Sequence, residues 1–288
     1  MSIKKNMLKR MKMLLRFLPD RLYLQLYYFA KFRKFIDFNN PKTYNEKIQW
    51  LKLYDRKAEY HQLVDKYEVR HYVSEAIGEQ YLVPLLGVWE SEYDVNFDTL
   101  PEEFVLKPTH ASGEVIIVRN KSALDRARVF GEMREWLSRD YFWVGREWPY
   151  KDIKPRIVAE KLIDDQIVDY KFYCFNGEPK VLYLSRGLEN HDTAEISFFD
   201  LDFKRMPFGR SDYRPFSQEP VKPDNYREML DIVRKLAKDF SFIRVDLYSV
   251  SGQVYFSELT FYPAGGYMPF SPREWDNTLG EWIILPPR

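Results

Sequence analysis

The stretch that most constrains the fold of this chain is residues 242–262, FIRVDLYSVSGQVYFSELTFY. The turn sequence Ser-Gly-Gln separates two runs rich in β-branched and aromatic residues, which predicts a β-hairpin. Because side chains alternate across a strand, Arg244 and Asp246 share one face of the first strand. Glu258 and Thr260 share one face of the second strand. Charged groups in so apolar a hairpin are costly to bury unless they pair or bind a ligand.

Two interpretations of this hairpin are open. Carboxylate oxygens from Asp246 and Glu258 suit Mg²⁺, which binds one or two carboxylates together with substrate phosphates. Arg244 would then face phosphate oxygens. The alternative is a salt bridge between Arg244 and the two carboxylates, with no ligand.

A second polar feature follows an apolar strand in FVLKPTHASG, residues 104–113. Lys107 would emerge at the end of the strand, and Thr109, Ser112 and Gly113 would supply hydroxyls and an open backbone. A lysine beside backbone amides predicts a phosphate-binding loop, although the glycine spacing is not that of a P-loop. An ordinary hairpin, with the lysine stem lying along apolar surface, is the alternative.

Charges also interrupt two later apolar runs. Glu160 and Lys161 lie inside RIVAEKLI, and Asp169 and Lys171 alternate with aromatic residues in VDYKFYCFNG. The alternation places Asp169 and Lys171 on one strand face. Such a face is either solvated or part of a site.

Helical patterns come first in the chain and strand patterns follow. One helix is predicted over YHQLVDKYEVRHYVSEAIG, with Asp65, Lys66 and Arg70 on it, and another over residues 225–240. The turn FNGEP predicts a second hairpin. This order predicts an α+β protein built of lobes. The predicted divisions are a basic N-terminal segment, a helical or α+β region, a small lobe with the phosphate loop and a large lobe: 1–37, 38–103, 104–160 and 161–288.

The N-terminal residues 1–37 contain ten Lys/Arg and two Asp, with apolar residues at helical spacing between residues 7 and 18. Either a basic amphipathic helix lies on an anionic membrane surface, or the helix packs on the body and its lysines are solvated. No run of about 18 apolar residues occurs, so no spanning helix is predicted. We expect a cytoplasmic protein, placed by the first interpretation at the inner face of the membrane.

Composition excludes several classes. The net charge is +1, with 44 basic and 43 acidic residues, which argues against a nucleic-acid partner. A single cysteine, Cys174, excludes a disulfide or a multi-cysteine zinc site within one chain. No Ser-His-Asp or Cys-His set is evident.

Taken in order, these motifs resemble those of ATP-grasp enzymes and, within that superfamily, of the teichuronopeptide-biosynthesis (TupA-like) ATP-grasp family. The resemblance covers about residues 35–285. It implies an ATP-grasp fold, in which two α+β lobes grip the nucleotide. The segments that carry it are NNPKTYNEKIQWLKLYD, DKYEVR, FVLKPTHASG, DYKFYCFNGEP, RVDLY and ELTFYPAGG.

The resemblance implies roles toward ATP. Lys66 and Lys107 would hold its phosphates, and Thr109, His110, Ser112 and Gly113 would form the loop that closes over them. Glu160, Lys161 and Leu162 would form the hinge that recognises the adenine. Asp169 would lie near the ribose, and Lys171 would also belong to the nucleotide-binding residues. The role of His110 is open between contact with a phosphate or acceptor and support of the loop.

The resemblance also implies roles toward Mg²⁺. Asp246 and Glu258 would be the ligands, and Arg244, with Lys107 and His110, would act on the transferred phosphate. Thr260 departs from the family, which usually has Asn there. Thr260 would bind the metal through its hydroxyl or a water molecule, or a second metal would be held less tightly.

The implied activity is an ATP-dependent carboxylate–amine ligase that forms an amide through an acylphosphate and acts in cell-surface polysaccharide synthesis. Its expected partners are ATP, a carboxylate-bearing glycan or amino acid, and an amine. One alternative is a glycosyltransferase, for which Asp200 and Asp202 spell the Asp-x-Asp pattern, although a strand end and turn is the favoured interpretation there. Another is an ATP-grasp-like binding module without catalysis, against which the intact Lys107, Asp246 and Glu258 argue.

Overall fold

The structure is a computed structural model that describes residues 15–164, 167–187 and 192–288. Its helices fall mainly in the first half of the chain. The α-helices are α1 Asp20–Phe32, α2 Tyr44–Tyr54, α3 Tyr60–Val64, α4 Val69–Ala76, α5 Arg126–Leu137, α6 Phe142–Gly145, α7 Tyr226–Ala237 and α8 Glu274–Trp282. Short 3-10 segments are Leu15–Phe17, Glu79–Tyr81, Glu92–Asp94, Phe97–Thr99, Lys121–Ala123, Trp148–Tyr150 and Pro263–Gly266.

The strands form three antiparallel sheets. A four-stranded sheet has the order β1-β4-β2-β3, a five-stranded sheet has the order β10-β9-β5-β6-β7, and β8 pairs with β11. The strands are β1 Leu85–Trp89, β2 Phe104–Pro108, β3 Ile116–Val118, β4 Ile157–Lys161, β5 Asp169–Phe175, β6 Glu178–Arg186, β7 Glu195–Phe199, β8 Gly209–Arg210, β9 Phe242–Val250, β10 Gln253–Thr260 and β11 Phe270–Ser271. The predicted α+β class is confirmed.

Two hydrophobic cores divide the molecule. The smaller core joins the four-stranded sheet to α5 and to residues 95–100. The larger core joins the five-stranded sheet to α7 and to the helices α1–α4. The predicted divisions of the chain stay predictions, but the N-terminal helices share their core with the large sheet because their apolar faces are buried against it.

Both predicted hairpins are confirmed. Asn176 and Gly177 join β5 to β6 with φ values of 53° and 85°, and Ser251 and Gly252 join β9 to β10 with φ values of 50° and 82°. Two successive residues with positive φ are typical of a type I′ turn, whose twist suits a hairpin.

The prediction of one helix over residues 60–78 is wrong. The chain leaves the helix at Asp65, whose ψ is 120°, and begins α4 at Val69. Asp65 Oδ1 accepts hydrogen bonds from the backbone N–H groups of Tyr67 (2.8 Å) and Glu68 (3.0 Å). This local bonding competes with helix propagation. Lys66 therefore lies in a break between two helices and not on a helix face.

The N-terminal prediction lies partly outside the described residues, since residues 1–14 are not among them. From Asp20 onward the chain is helical, as expected. In the described parts of the chain, no helix has both the length and the apolarity that crossing a bilayer requires.

Candidate active site

The predicted hairpin residues meet on one face of the five-stranded sheet. Asp246 is paired in register with Lys171 on β5 and with Glu258 on β10. Arg244 is likewise paired with Thr260. Residues opposite each other in neighbouring strands project to the same face, so strand register brings these side chains together from three strands.

Arg244 lies between the two carboxylates. Its Nε donates to Asp246 Oδ1 (2.7 Å), and its Nη2 donates to Asp246 Oδ2 (2.5 Å) and to Glu258 Oε1 (2.9 Å). The Thr260 hydroxyl donates to the same Glu258 oxygen (3.1 Å). The salt bridge of the second interpretation is therefore present. The two carboxylates that form it are also the predicted Mg²⁺ ligands of the first interpretation.

Lys171 extends this network toward the start of β5. Its Nζ donates to Asp246 Oδ2 (2.9 Å) and to Asp169 Oδ2 (2.5 Å). Burial would raise the pKa of Asp246, but Arg244 and Lys171 outweigh it and hold that pKa below its usual value. Burial raises the pKa of Asp169 despite Lys171. The buried Asp169 Oδ1 has no hydrogen-bond partner within the described chain.

A second ion-pair group lies at the ends of β2 and β4. Glu160 accepts from Lys107 Nζ (2.7 Å) through Oε2 and from Arg70 Nη1 (3.4 Å) through Oε1. Burial would lower the pKa of Lys107, but Glu160, with Tyr248 and Glu258 nearby, raises it. Lys107 therefore carries its full charge at neutral pH.

Lys66 points into the same region from the break between α3 and α4. Its backbone N–H donates to the carbonyl of Thr109 (3.2 Å), and its Nζ donates to the carbonyl of Ala111. Burial lowers the pKa of Lys66, while Glu258 opposes that change. Glu258 thus opposes the effect of burial on the pKa of both Lys66 and Lys107.

His110 anchors the loop after β2 to helix α5. The His110 side chain is buried, and its Nε2 bonds the carbonyl of Trp136 (3.0 Å) in α5. Burial lowers the pKa of His110. Thr109 is fully buried, whereas Ser112 is half-buried and Gly113 is exposed with φ 75°. Of the two roles left open for His110, this geometry favours support of the loop.

A cleft lies between the two large sheets. Its cavity volume is about 20 Å³. Its lining combines charged side chains with aromatic and apolar ones. Its lining is Lys66, Val69, Arg70, Leu82, Val83, Lys107, Glu160, Tyr248, Phe256 and Ser257. A larger open depression near α7 contains none of the predicted site residues.

The predicted hinge residues differ in placement. Glu160 lines the cleft, and its carboxylate accepts hydrogen bonds from Lys107 and Arg70. Lys161 is exposed, with its backbone N–H donating to the carbonyl of Pro84 (2.9 Å), and Leu162 follows the end of β4 half-buried. Lys161 and Leu162 are not among the residues that line the cleft.

The β9–β10 hairpin offers oxygen ligands to Mg²⁺. Within the described residues, no three His, Cys, Asp or Glu side chains form a group that could hold a metal. Asp246 and Glu258 supply two hard carboxylates, with the Thr260 hydroxyl beside Glu258. Mg²⁺ ordinarily takes one or two carboxylates and completes its octahedron with phosphate and water oxygens. The residues fit an ion shared with ATP phosphates.

The sequence profile described as TupA-like ATPgrasp matches residues 46–284, most of the chain. The chain belongs to this family. Its fold is accordingly the ATP-grasp fold. Among curated proteins, none matches this sequence.

Three solved structures of ligases and a synthetase show a distant similarity to this chain. A D-alanine–D-alanine ligase from Bacillus anthracis complexed with ATP is 16% identical, with a TM-score of 0.40 over 69% of this chain and 55% of that one. An L-amino acid ligase from Bacillus licheniformis is 14% identical, with a TM-score of 0.44 over 85% and 55%. N5-carboxyaminoimidazole synthetase from Staphylococcus aureus is 15% identical, with a TM-score of 0.39 over 69% and 44%. The chain spans about half the length of these proteins.

Sequence reasoning missed how this ATP-grasp chain secures the loop that follows the Glu258 strand. Asn45 Nδ2 donates to the Met268 carbonyl (2.9 Å), and Gln49 Nε2 donates to the carbonyl of Gly266 (2.8 Å). The fully buried Lys52 donates to the carbonyl of Gly265 (2.6 Å). The three lie in one helix, α2, at spacings of four and three residues. Polar residues on a buried helix face were the available signal.

The pattern considered for a glycosyltransferase is a turn. Asp200 Oδ1 accepts from the backbone N–H groups of Asp202 (3.0 Å) and Lys204 (2.9 Å). Asp200 and Asp202 follow the end of β7 as expected and are not among the residues that line the cleft.

Proposed function

We propose that this protein is an ATP- and Mg²⁺-dependent carboxylate–amine ligase. The observation that carries the proposal is that Lys66 and Lys107 line the cleft, while Arg244 is held between Asp246 and Glu258 on β9 and β10, the two strands that also contribute Tyr248 and Phe256 to the lining. Phosphoryl transfer needs positioning and charge neutralisation more than an enzyme nucleophile. The two lysines, the arginine and the two carboxylates are all charged and suit that requirement.

Each side chain has a role in the proposed reaction. Lys66 and Lys107 bind the phosphates of ATP, and the loop from Thr109 to Gly113 closes over them. Arg244 stabilises the charge of the transferred phosphoryl group. Asp246 and Glu258 hold Mg²⁺, which supplies Lewis-acid neutralisation of phosphate charge when bound.

Further residues of both sheets orient the nucleotide. The hinge at Glu160, Lys161 and Leu162 contacts the adenine, and Asp169 with Lys171 lies toward the ribose. His110 keeps the phosphate loop in shape through α5. Thr260 orients Glu258, since its hydroxyl already donates to that carboxylate.

The reaction proceeds in two balanced steps. A substrate carboxylate oxygen bonds to the γ-phosphorus of ATP as the bond to ADP breaks, which yields an acylphosphate and ADP. The nitrogen of an amine then bonds to the acyl carbon as the bond to phosphate breaks, and the amine loses a proton to solvent. The products are an amide, ADP and phosphate.

The family resemblance supports a substrate class. The acceptor is an amino-acid or uronic-acid carboxylate of a cell-surface polysaccharide, such as a teichuronopeptide or capsule precursor, and an amino acid or other amine attacks it. Release of ADP would be measured with uronic acids, amino acids and amines, alone and in pairs. We expect ADP only when an acceptor carboxylate is present, and amide only when an amine is added.

Variants test the site itself. Glu258→Gln is expected to abolish ADP release, while the exposed control Asp98→Asn leaves it unchanged. Equal turnover in wild type and Glu258→Gln would contradict the proposal. Stabilisation against heat by UDP-sugars and not by ATP with Mg²⁺ would favour the glycosyltransferase alternative instead.

A further inference from the structure

Helix α1 carries an exposed apolar stripe. Leu22, Leu26 and Phe29 are 46%, 47% and 37% exposed, and their spacing of four and three residues places them on one helix face. Phe17 (76% exposed) precedes the helix, and Phe35 (62% exposed) follows it and stacks on Phe29 at a centroid distance of 4.7 Å. These five residues are called the α1 stripe.

The α1 stripe is a concentration of apolar surface. Ten large apolar side chains are exposed among the described residues, and five of them belong to the stripe. Single exposed apolar residues are ordinary, whereas a contiguous patch of them marks an interaction site. None of the five lines the cleft, so the stripe is separate from the proposed active site.

The opposite face of α1 is fixed to the body. Tyr23, Leu24 and Tyr28 are buried in the larger core. At the start of the helix, Asp20 accepts from Arg146 Nη1 (2.8 Å) and from Arg56 Nη2 (2.6 Å). The helix cannot rotate to bury its stripe without breaking these contacts, so the stripe faces outward.

The segment that carries the stripe is rich in exposed cations. Residues 15–37 contain five Lys/Arg and two Asp, and one of the two, Asp20, is already paired with two arginines. The five basic side chains are all exposed: Arg16, Arg21, Lys31, Arg33 and Lys34. The Arg33 guanidinium lies 6.0 Å from the centre of the Phe29 ring, so charge and apolar surface are interleaved.

The positive charge around the α1 stripe indicates what kind of partner can bind it. A second copy packed stripe to stripe would bring these cations against one another. Residues 1–14 contain five Lys/Arg and no Asp or Glu, so they too would add like charge. An anionic lipid surface supplies both an apolar interior for the stripe and negative headgroups for the cations.

We propose that the α1 stripe and its cations dock this protein onto an anionic membrane surface, with α1 lying in the plane of the headgroups. The stripe enters the boundary between headgroups and acyl chains, and the cations bind lipid phosphates. Docking is independent of the proposed ligase activity.

Flotation of the full chain with vesicles tests the proposal. Wild type is expected to bind vesicles of equal parts phosphatidylglycerol and phosphatidylcholine, and not vesicles of phosphatidylcholine alone. Leu22→Gln, Leu26→Gln and Phe29→Gln together should weaken binding by about tenfold or more. Lys31→Gln and Lys34→Gln should weaken it about fivefold each at low salt, since each cation contributes to attraction by the surface.

A matched control separates lost docking from lost folding. Val221 and Ile284 are exposed apolar residues outside the stripe, at 86% and 70%, and their change to Gln should leave vesicle binding and melting temperature unaltered. The triple variant should keep the wild-type melting temperature. Undiminished vesicle binding by the triple variant would overturn the proposal, since residues 1–14 would then suffice. A wild-type dimer that the triple variant converts to monomer, without vesicle binding, would also overturn it.

Discussion

The change Asp246→Asn tests whether the buried charge network holds the sheet face together. Asp246 is fully buried and accepts three hydrogen bonds, two from Arg244 and one from Lys171. An amide has one acceptor oxygen where the carboxylate has two, and its NH₂ group meets a cation whichever way it turns. At least one of the three hydrogen bonds to residue 246 is therefore lost, and an amide N–H then faces the cationic donor that made it.

The magnitude follows from what each cation retains. Removing one partner of a buried ion pair costs about 3–5 kcal/mol, because the other charge is left without compensation. Here Arg244 keeps Glu258 at 2.9 Å and Lys171 keeps Asp169 at 2.5 Å. We therefore expect the lower end, a loss of about 3 kcal/mol in the free energy of unfolding.

Urea unfolding followed by circular dichroism measures this loss. The control is Asp98→Asn, which removes a salt bridge of similar length, 2.8 Å to Arg126, at a site where the aspartate side chain is 77% exposed. That change should cost less than about 1 kcal/mol. Equal unfolding midpoints for Asp246→Asn and Asp98→Asn would refute the reasoning, since burial would then add nothing to the value of the ion pair.

Three further predictions concern pH, a buried lysine and a turn. Burial lowers the pKa of His110 in the folded protein, so its contribution to stability is complete above the unfolded pKa of about 6.5 and is lost as the pH falls below it toward the folded pKa. His110→Gln should therefore show a flatter decline of unfolding free energy between about pH 7 and pH 5 than wild type, and identical pH profiles would contradict this. Lys52→Met should cost about 1–3 kcal/mol in urea unfolding, because it removes a donor from the Gly145 carbonyl (2.9 Å) and leaves the Gly265 carbonyl only its bond from Gln49 (3.0 Å); wild-type stability would show that these carbonyls find other donors. Gly177→Ala should cost at least about 1–2 kcal/mol, since φ is 85° there and a Cβ would lie 2.8 Å from the carbonyl oxygen of Lys238, and an unchanged melting temperature would exclude this strain.

Short-range patterns in the sequence predicted the hairpins and the sharing of faces. Alternation along one strand is enough to place Arg244 beside Asp246, and an Asn-Gly or Ser-Gly pair between two apolar runs is enough to predict a tight turn. The same local reasoning failed at Asp65, where a helical pattern continues but the side chain caps the backbone of the next two residues. Hydrophobic periodicity indicates an apolar face. It does not indicate where a side chain competes with the helix for backbone N–H groups.

The sequence by itself thus determined the family, the class of fold and the side chains available for phosphate and metal binding. Tertiary structure alone decided how they meet. Strand order puts β5 next to β9, which pairs Lys171 with Asp246 across 75 residues of chain, and the break after α3 points Lys66 toward the loop at Thr109. It also decided that the N-terminal helix buries one face and exposes a basic apolar one. The physical reason is that register and burial depend on partners distant in sequence, whereas turns and alternation depend on neighbours.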